Sequence, residues 1–330
     1  MKRPDFLACG LLALAASVLI QGPSFAQGKY PERPIRLIVP FPPGGSFDTI
    51  GRPWAERMKN VLGTVVIENI GGGGGSVGAA QATRQRPDGY TLLLGGATTH
   101  ITEGLLKTRP LYDPLRDLVP VSGIAVTALA ITVHPSVPVK DVTQLIALAK
   151  RHPDALTWGS AGHGSLNHLT GEMFRLQTGI PNLTHVPYKG AGPAIIDLIG
   201  GHVPMIVPAM TNHVLALHRA GRARVLAVTH GTRLAAAPEL PTAAEQGLPA
   251  LVTPNFIGIY APADTPREVI EYVSAANLRL LAERSYQELL ISGTFEIAPA
   301  LSPEAYKRYV EDEMRRWSPI VKTLGIKIDS

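Results

Sequence analysis

The sequence predicts an α/β fold of two lobes with a ligand cleft between them. Three observations carry that prediction. Short apolar runs alternate with amphipathic helical stretches, and the series starts twice along the chain. A segment without Asp, Glu, Lys or Arg, VPVSGIAVTALAITVHP (119–135), separates the two series. Glycine clusters stand where apolar runs give way to helical ones. With 330 residues, 45% of them hydrophobic, the chain can form two cores of ordinary size.

The first series opens with IRLIV (35–39), a strand by its apolar run, and a helix from Ser46 to Leu62. TVVIEN (64–69) is the next strand, followed by a glycine run, a helix to about Arg86, and the strand YTLLLGG (90–96). The β–α–β order implies a parallel sheet covered by helices. The segment 119–135 is β-branched and reads as strands running from one lobe to the other. The pattern restarts with a helix over Val139–Arg151, LTWGSA (156–161), and a helix over Ser165–Thr178. LTHVPY (183–188), a helix to Ile199 and ARVLAVT (223–229) complete it. NFIGIYAPADTP (255–266) reads as the returning crossing, and helices over Pro266–Leu281 and Pro303–Leu324 are expected to pack on the first lobe. The expected lobes are 27–125 with 253–330, and 126–252. Two extended crossings make a hinge, and the cleft beside it is the default site.

The N-terminus speaks for export. Lys2 and Arg3 precede the apolar run Leu7–Ile20, which Gln21, Gly22 and Pro23 break. Ser24-Phe25-Ala26 offers small residues for cleavage near Ala26, the pattern of a secretory signal peptide. Cys9, the one cysteine, lies inside that segment, so the mature chain is expected to have no disulfide, thiol chemistry or cysteine-ligated metal. Loss of Lys2, Arg3 and Asp5 lowers the formal charge from +5 to +4. Aromatics are 6% and no basic run occurs, which speaks against a nucleic-acid partner. The mature chain is expected to be soluble, exported and monomeric.

Four patterns bear on chemistry. Gly73, Gly75 and Gly78 satisfy G-x-G-x-x-G, but the following strand ends in GGATTH (95–100), without the acid a ribose needs. The run reads better as a turn needing positive φ, and no cofactor is expected. His163 and His168 are five apart, as are His213 and His218; helical ligand pairs need three or four, so no metal is expected and surface or capping histidines are favoured. WGSAGHGS (158–165) nearly matches the elbow of serine hydrolases around Ser160, with Trp158 in place of its first glycine. Asp197 and His218 are the nominal partners of that alternative. The other reading is a polar loop opening a helix at Ser165, with N–H groups offered to an anion. PFPPGGSFD (40–48) has the same design, with Ser46 as candidate N-cap and Asp48 in the first turn, where it steadies the helix end, orders the loop or meets a ligand.

Taken together, YPERPIRLIVPFPPGGSFDTIGR (30–52), ENIGGGGGSVGA (68–79), PDGYTLLLG (87–95), LYDPLRDLVPVS (111–122), WGSAGHGSLNHLTGEMF (158–174), HVPYKGAGPAIIDLIGG (185–201) and RVLAVTHGTR (224–233) resemble the Bug (TctC-like) family. These are periplasmic solute-binding proteins of tripartite tricarboxylate transporters. The resemblance implies a type II-like periplasmic binding fold and no catalysis. It implies a small carboxylate ligand (a di- or tricarboxylate, an acidic amino acid or an aromatic acid) delivered to membrane permease subunits or shown to a membrane sensor. It places Phe41, Pro43, Gly44, Gly45, Ser46, Phe47 and Asp48 in one clamp loop, and Ser160, Ala161, Gly162, Gly164, Ser165 and His168 in the other. Ala97, Thr98 and His100 are expected to line the cleft, with Tyr188, Lys189, Gly190, Pro208 and Thr211 on the second-lobe wall; Lys189 reads equally as a solvated charge. The chain departs from the family at GHVPMIVPAMTNH (201–213), where Pro204 and Pro208 argue against a regular central strand, and at the large Phe47.

Overall fold

The computed structural model describes residues 30–152, 156–180 and 183–328. The expected leader, with Cys9, lies outside the described residues. In chain order the first part holds β1 (Ile35–Val39), α1 (Ser46–Leu62), β2 (Val65–Asn69), α2 (Ser76–Thr83), β3 (Thr91–Gly96), α3 (Glu103–Leu106) and β4 (Leu118–Thr127). The second part holds β5 (Ala130–Val133), α4 (Val142–Arg151), β6 (Thr157–Ser160), α5 (Leu166–Thr178), β7 (Thr184–Pro187), α6 (Ala191–Ile199), β8 (Met205–Ile206), α7 (Asn212–Arg219) and β9 (Arg224–Val228). The chain then returns through β10 (Asn255–Pro262), α8 (Arg267–Ala282), α9 (Arg284–Ser292), β11 (Glu296–Ile297) and α10 (Pro303–Leu324).

Two sheets form. The first has the order β11-β4-β10-β3-β1-β2 and the second β7-β6-β8-β5-β9. Each is mixed, where the β–α–β order alone implied parallel pairing. β1 runs parallel to β2 and β3, but β10 pairs antiparallel with β3 and β4. In the second sheet β6 is parallel to β7 and β8, and β5 is antiparallel to β8 and β9. The antiparallel pairs come from the two crossings. β4 leads through Ala128 and Leu129 into β5 and so passes from one sheet to the other; β10 brings the chain back.

Strands β1 and β3, inside the first sheet, are buried on both faces because helices cover them. Ile35, Leu37, Ile38 and Val39 of β1 and Leu92, Leu93 and Leu94 of β3 are buried. α1 buries Phe47, Ile50, Trp54, Met58 and Leu62 at helical spacing. Its Trp54 indole N–H donates to Asn277 Oδ1 on α8 at 2.8 Å. α8 and α10 both contact β4, as expected of helices closing the first lobe. In the second lobe Trp158 is fully buried, and Gly171 on α5 lacks a Cβ where the Trp158 ring lies. The wall around Pro204 and Pro208 is broken as expected: β8, in the middle of its sheet, has two residues.

Candidate functional site

The loop ahead of α1 is fixed by one carboxylate. Asp48 Oδ2 accepts from the Gly44 amide at 3.2 Å and from Arg52 Nε at 3.0 Å, while Oδ1 accepts from Asn69 Nδ2 at 3.2 Å. Asn69 also donates to the Phe41 carbonyl at 2.9 Å. Of the three roles open to Asp48, the geometry matches loop ordering. Ser46 is not the N-cap. Gly45 holds that position, in extended conformation, and Ser46 is the first helical residue. Its hydroxyl lies 3.3 Å from Asn255 Nδ2 at the start of β10, so it turns toward the returning crossing instead of its own helix.

The loop ahead of α5 is built differently. Ser165 caps the helix, its Oγ accepting from the His168 amide at 3.1 Å. Gly162 and Gly164 have φ of +121° and +72°, which L side chains rarely adopt. The Leu166 amide donates across the lobes to Thr98 Oγ1 at 3.2 Å. A third helix, α6, begins at Ala191 after Gly190 with no side-chain cap.

These helix starts meet at one cavity of about 20 Å³, lined by Phe41, Gly45, Ser46, Phe47, Thr98, Ala161, Asn167, Ala191, Ala209 and Asn255. That is room for one water. Ser46 and Phe47 belong to the first turn of α1, Asn167 to that of α5, and Ala191 to that of α6. First-turn N–H groups have no partner inside their helix, and each terminus carries about half a positive charge. No lining side chain is charged. The positive potential is therefore all backbone, an arrangement suited to an anion. Phe41 and Phe47, with ring centroids 5.0 Å apart, supply an apolar wall.

Comparison with known proteins gives the family. The family described as tripartite tricarboxylate transporter family receptor (TctC) matches residues 50–326. The chain belongs to that family. BugT of Bordetella pertussis is 34% identical over 305 residues, 91% of each chain. Among solved structures, Rpa4515 of R. palustris with adipate is 34% identical with a TM-score of 0.86, covering 91% of this chain and all of its own. MatC of Rhodopseudomonas palustris with bound malate is 27% identical with a TM-score of 0.84, covering 88% of this chain and all of its own. Such TctC receptors have the two-lobed periplasmic binding fold, as this chain does.

Six of the residues expected from sequence line the receptor's cavity: Phe41, Gly45, Ser46, Phe47, Thr98 and Ala161. Ser160 and Pro208 line a narrower crevice beside it, and Pro43 and Gly44 an outer groove. The rest support or lie apart. Ala97 is buried, and His100 stacks on Tyr260 at 4.1 Å with its Nδ1 3.2 Å from the Gly96 carbonyl. Gly162, Gly164, Ser165 and Gly190 shape turns, and Thr211 caps α7. Tyr188 donates to Asp197 at 2.8 Å, and Lys189 is exposed. Sequence reasoning missed Asn167, Ala191, Ala209 and Asn255. Ala191 and Ala209 directly follow the expected Gly190 and Pro208, Asn167 sits between the expected Ser165 and His168, and Asn255 starts the expected returning crossing.

Ser160 does have a histidine beside it. Its Oγ lies 2.7 Å from His185 Nε2, and accepts from the Gly162 amide at 3.0 Å. The nominal partners are elsewhere occupied: Asp197 accepts from Tyr188, and His218 Nδ1 from the Val225 amide. His185 Nδ1 is buried without a partner among the described residues, so none of their acids orients the ring, and burial lowers its pKa to about 3. Such an imidazole is a poor general base near neutral pH. His168 is not a surface residue: it is buried on α5, where burial, then His163 and Lys107, lower its pKa to about 4.

Proposed function

We propose that this receptor captures a small carboxylate in the cavity between its lobes and delivers it, unchanged, to permease subunits in the membrane. The observation that carries the reading is the meeting of three helix N-termini at an uncharged cavity. Each terminus contributes about 0.3–1 kcal/mol to anion binding, and up to about 2 when partly buried. Three of them with several N–H bonds come within reach of the roughly 8 kcal/mol of a micromolar complex. The adipate and malate of the two relatives are of this class. A chain with a carboxylate at each end and a short apolar middle matches polar Ser46, Thr98, Asn167 and Asn255 around the Phe41–Phe47 wall. A 20 Å³ cavity is too small for such a ligand, so the lobes part to admit it and close on it.

In this reading residues 27–125 with 253–330 form one lobe and 126–252 the other. The leader is cleaved near Ala26 and the mature chain works in the periplasm as a monomer, without cofactor or catalysis. A membrane sensor is the other candidate receiver. Isothermal titration of the mature protein with adipate, malate, citrate, glutamate and benzoate tests the core of the proposal. Saturable binding of at least one carboxylate, with a raised melting temperature, is expected. Absence of binding across the panel overturns it.

A further inference from the structure

We propose that His163, His168 and His185 form a binding site for a divalent transition-metal ion on the second lobe. Their spacing in sequence hides the cluster. His163 lies in the glycine loop ahead of α5, His168 in its first turns, and His185 on the neighbouring strand β7. The parallel pairing of β6 with β7 brings His185 opposite Trp158, just before that loop. One ligand-capable nitrogen of each histidine lies within 4.8 Å of the other two. The ring centroids are 4.3 Å apart for His168 and His185, 4.9 Å for His163 and His185, and 5.2 Å for His163 and His168.

The surroundings fit a metal centre. A ligating imidazole generally has its other nitrogen held by a neighbour, which fixes the tautomer. His185 Nε2 is 2.7 Å from Ser160 Oγ, which in turn has the Gly162 carbonyl at 3.2 Å. With Nε2–H donating to Ser160 and Ser160 donating to Gly162, Nδ1 is left with a bare lone pair. That Nδ1 is buried and has no hydrogen-bond partner among the described residues. An unpartnered buried nitrogen of this kind is costly unless something binds it. The hydrogen bond that the His168 ring accepts from the Gly164 amide is long at 3.4 Å, so an ion displaces little there. The Trp158 ring flanks both His185 and His168 at 4.5 and 6.0 Å and keeps the two imidazoles in place.

Metal–nitrogen bonds of about 2.0–2.1 Å require the three nitrogens to draw together. His163 can move: it is exposed and flanked by Gly162 and Gly164, both at positive φ. Three imidazoles favour zinc, nickel or copper over magnesium or calcium, and leave a fourth position for water. Lys107, close enough to act on His168, opposes the ion's charge and weakens the site. The ion would brace the loop and helix start that also carry Ala161 and Asn167, which line the carboxylate cavity.

The test is a cobalt titration of the mature, tag-free protein, followed by visible absorption. One Co²⁺ per chain, with the intense absorption of a four-coordinate site and displacement by Zn²⁺, is expected. His163→Ala, an exposed position, should weaken binding by more than about tenfold and abolish the band. His185→Gln should do the same, and His213→Ala, in the other five-spaced pair, should not. Weak absorption typical of six-coordinate surface binding, or an affinity unchanged in His163→Ala, overturns the proposal. If His185→Gln fails to fold, His163→Ala decides alone.

Discussion

Gly192, in the first turn of α6, faces Pro43, in the α1 loop, so closely that a Cβ on Gly192 would overlap the Pro43 carbonyl oxygen. A second contact of this kind joins the glycine run to the α5 loop. A Cβ on Gly74 would lie 2.5 Å from the His163 carbonyl oxygen. The glycine runs are thus the faces on which the lobes touch, and bulk there acts on closure. Gly192→Ala is the cleaner test. Gly192 is helical, so alanine suits its backbone, and the gain in helix propensity is offset by the restriction that Pro193 places on the residue before it. The melting temperature without ligand should change little. Carboxylate affinity, by calorimetry, should fall at least about tenfold, or 1.4 kcal/mol. Gly74→Ala should lose both, because its φ of +68° costs an L residue about 1–2 kcal/mol in either state.

Gly45→Val tests the cavity itself. The added Cβ would stand 3.9 Å from the Ala191 Cβ, and its methyl groups would fill the space where Phe41, Phe47 and Ala191 meet. Valine is a poor N-cap, so a stability loss of about 1 kcal/mol is expected. Carboxylate binding should weaken by far more than that loss explains. Unchanged affinity in a folded variant would remove the α1 loop from the site.

Asn255 separates recognition from stability. Its side chain donates one long bond, 3.3 Å to Ser46, and its Oδ1 is buried without a partner among the described residues. Asn255→Ala gives up a weak bond and also an unsatisfied acceptor, so chemical denaturation should show a change within about 1 kcal/mol. If Asn255 meets the ligand, affinity falls by the roughly 1.5–3 kcal/mol of a hydrogen bond to a charged group. Equal affinity in the variant would make Asn255 a packing residue.

Much of this was legible in the sequence. Helix α1 begins and ends where the pattern over Ser46–Leu62 put it, because its apolar stripe and flanking glycines are local signals. The crossing at 119–135 was legible from its uncharged, β-branched composition. The α4 start moved to Val142 because Asp141 caps it, and α9 and β11 were missed as too short or too polar to stand out. What sequence could not give is depth between distant segments. Ala191 lies one residue beyond the marked Gly190 and Asn167 lies inside the marked Ser160–His168 loop, but nothing local says that two helix starts meet. A five-residue spacing excludes a ligand pair only when both histidines lie on one helix, and His163 precedes α5; His185 completes the cluster through strand pairing, which has no local signature.

Asp48→Ala should loosen the α1 loop. The carboxylate loses the Gly44 amide, Asn69 and Arg52 together, which predicts a destabilisation of about 1–3 kcal/mol in urea denaturation. Arg52 is half-exposed, so Arg52→Ala should cost no more than about 1 kcal/mol. A larger effect from Arg52→Ala than from Asp48→Ala would place the organising charge on the arginine instead.

Acid should weaken the fold before its carboxylates titrate. Burial lowers the His100 pKa to about 3 from the ordinary 6.5, with the Gly96 carbonyl only partly opposing it; His168 and His185 are lowered for the same first cause, to about 4 and about 3. The folded chain therefore binds fewer protons than the unfolded chain between these values and 6.5. Stability is intact above that upper limit and falls as pH drops through the window. Each such histidine contributes a slope of up to about 1.4 kcal/mol per pH unit. Glu239 and Glu245, whose pKa values are lowered by hydrogen bonds, act in the same direction only at lower pH, in the carboxylate range. Urea midpoints of the metal-free protein, measured from about pH 7 down to pH 5, should decline steadily. His100→Phe keeps a ring against Tyr260 and removes one titrating group, so its decline should be shallower. A flat profile in the parent protein would mean that these imidazoles take up protons without unfolding it.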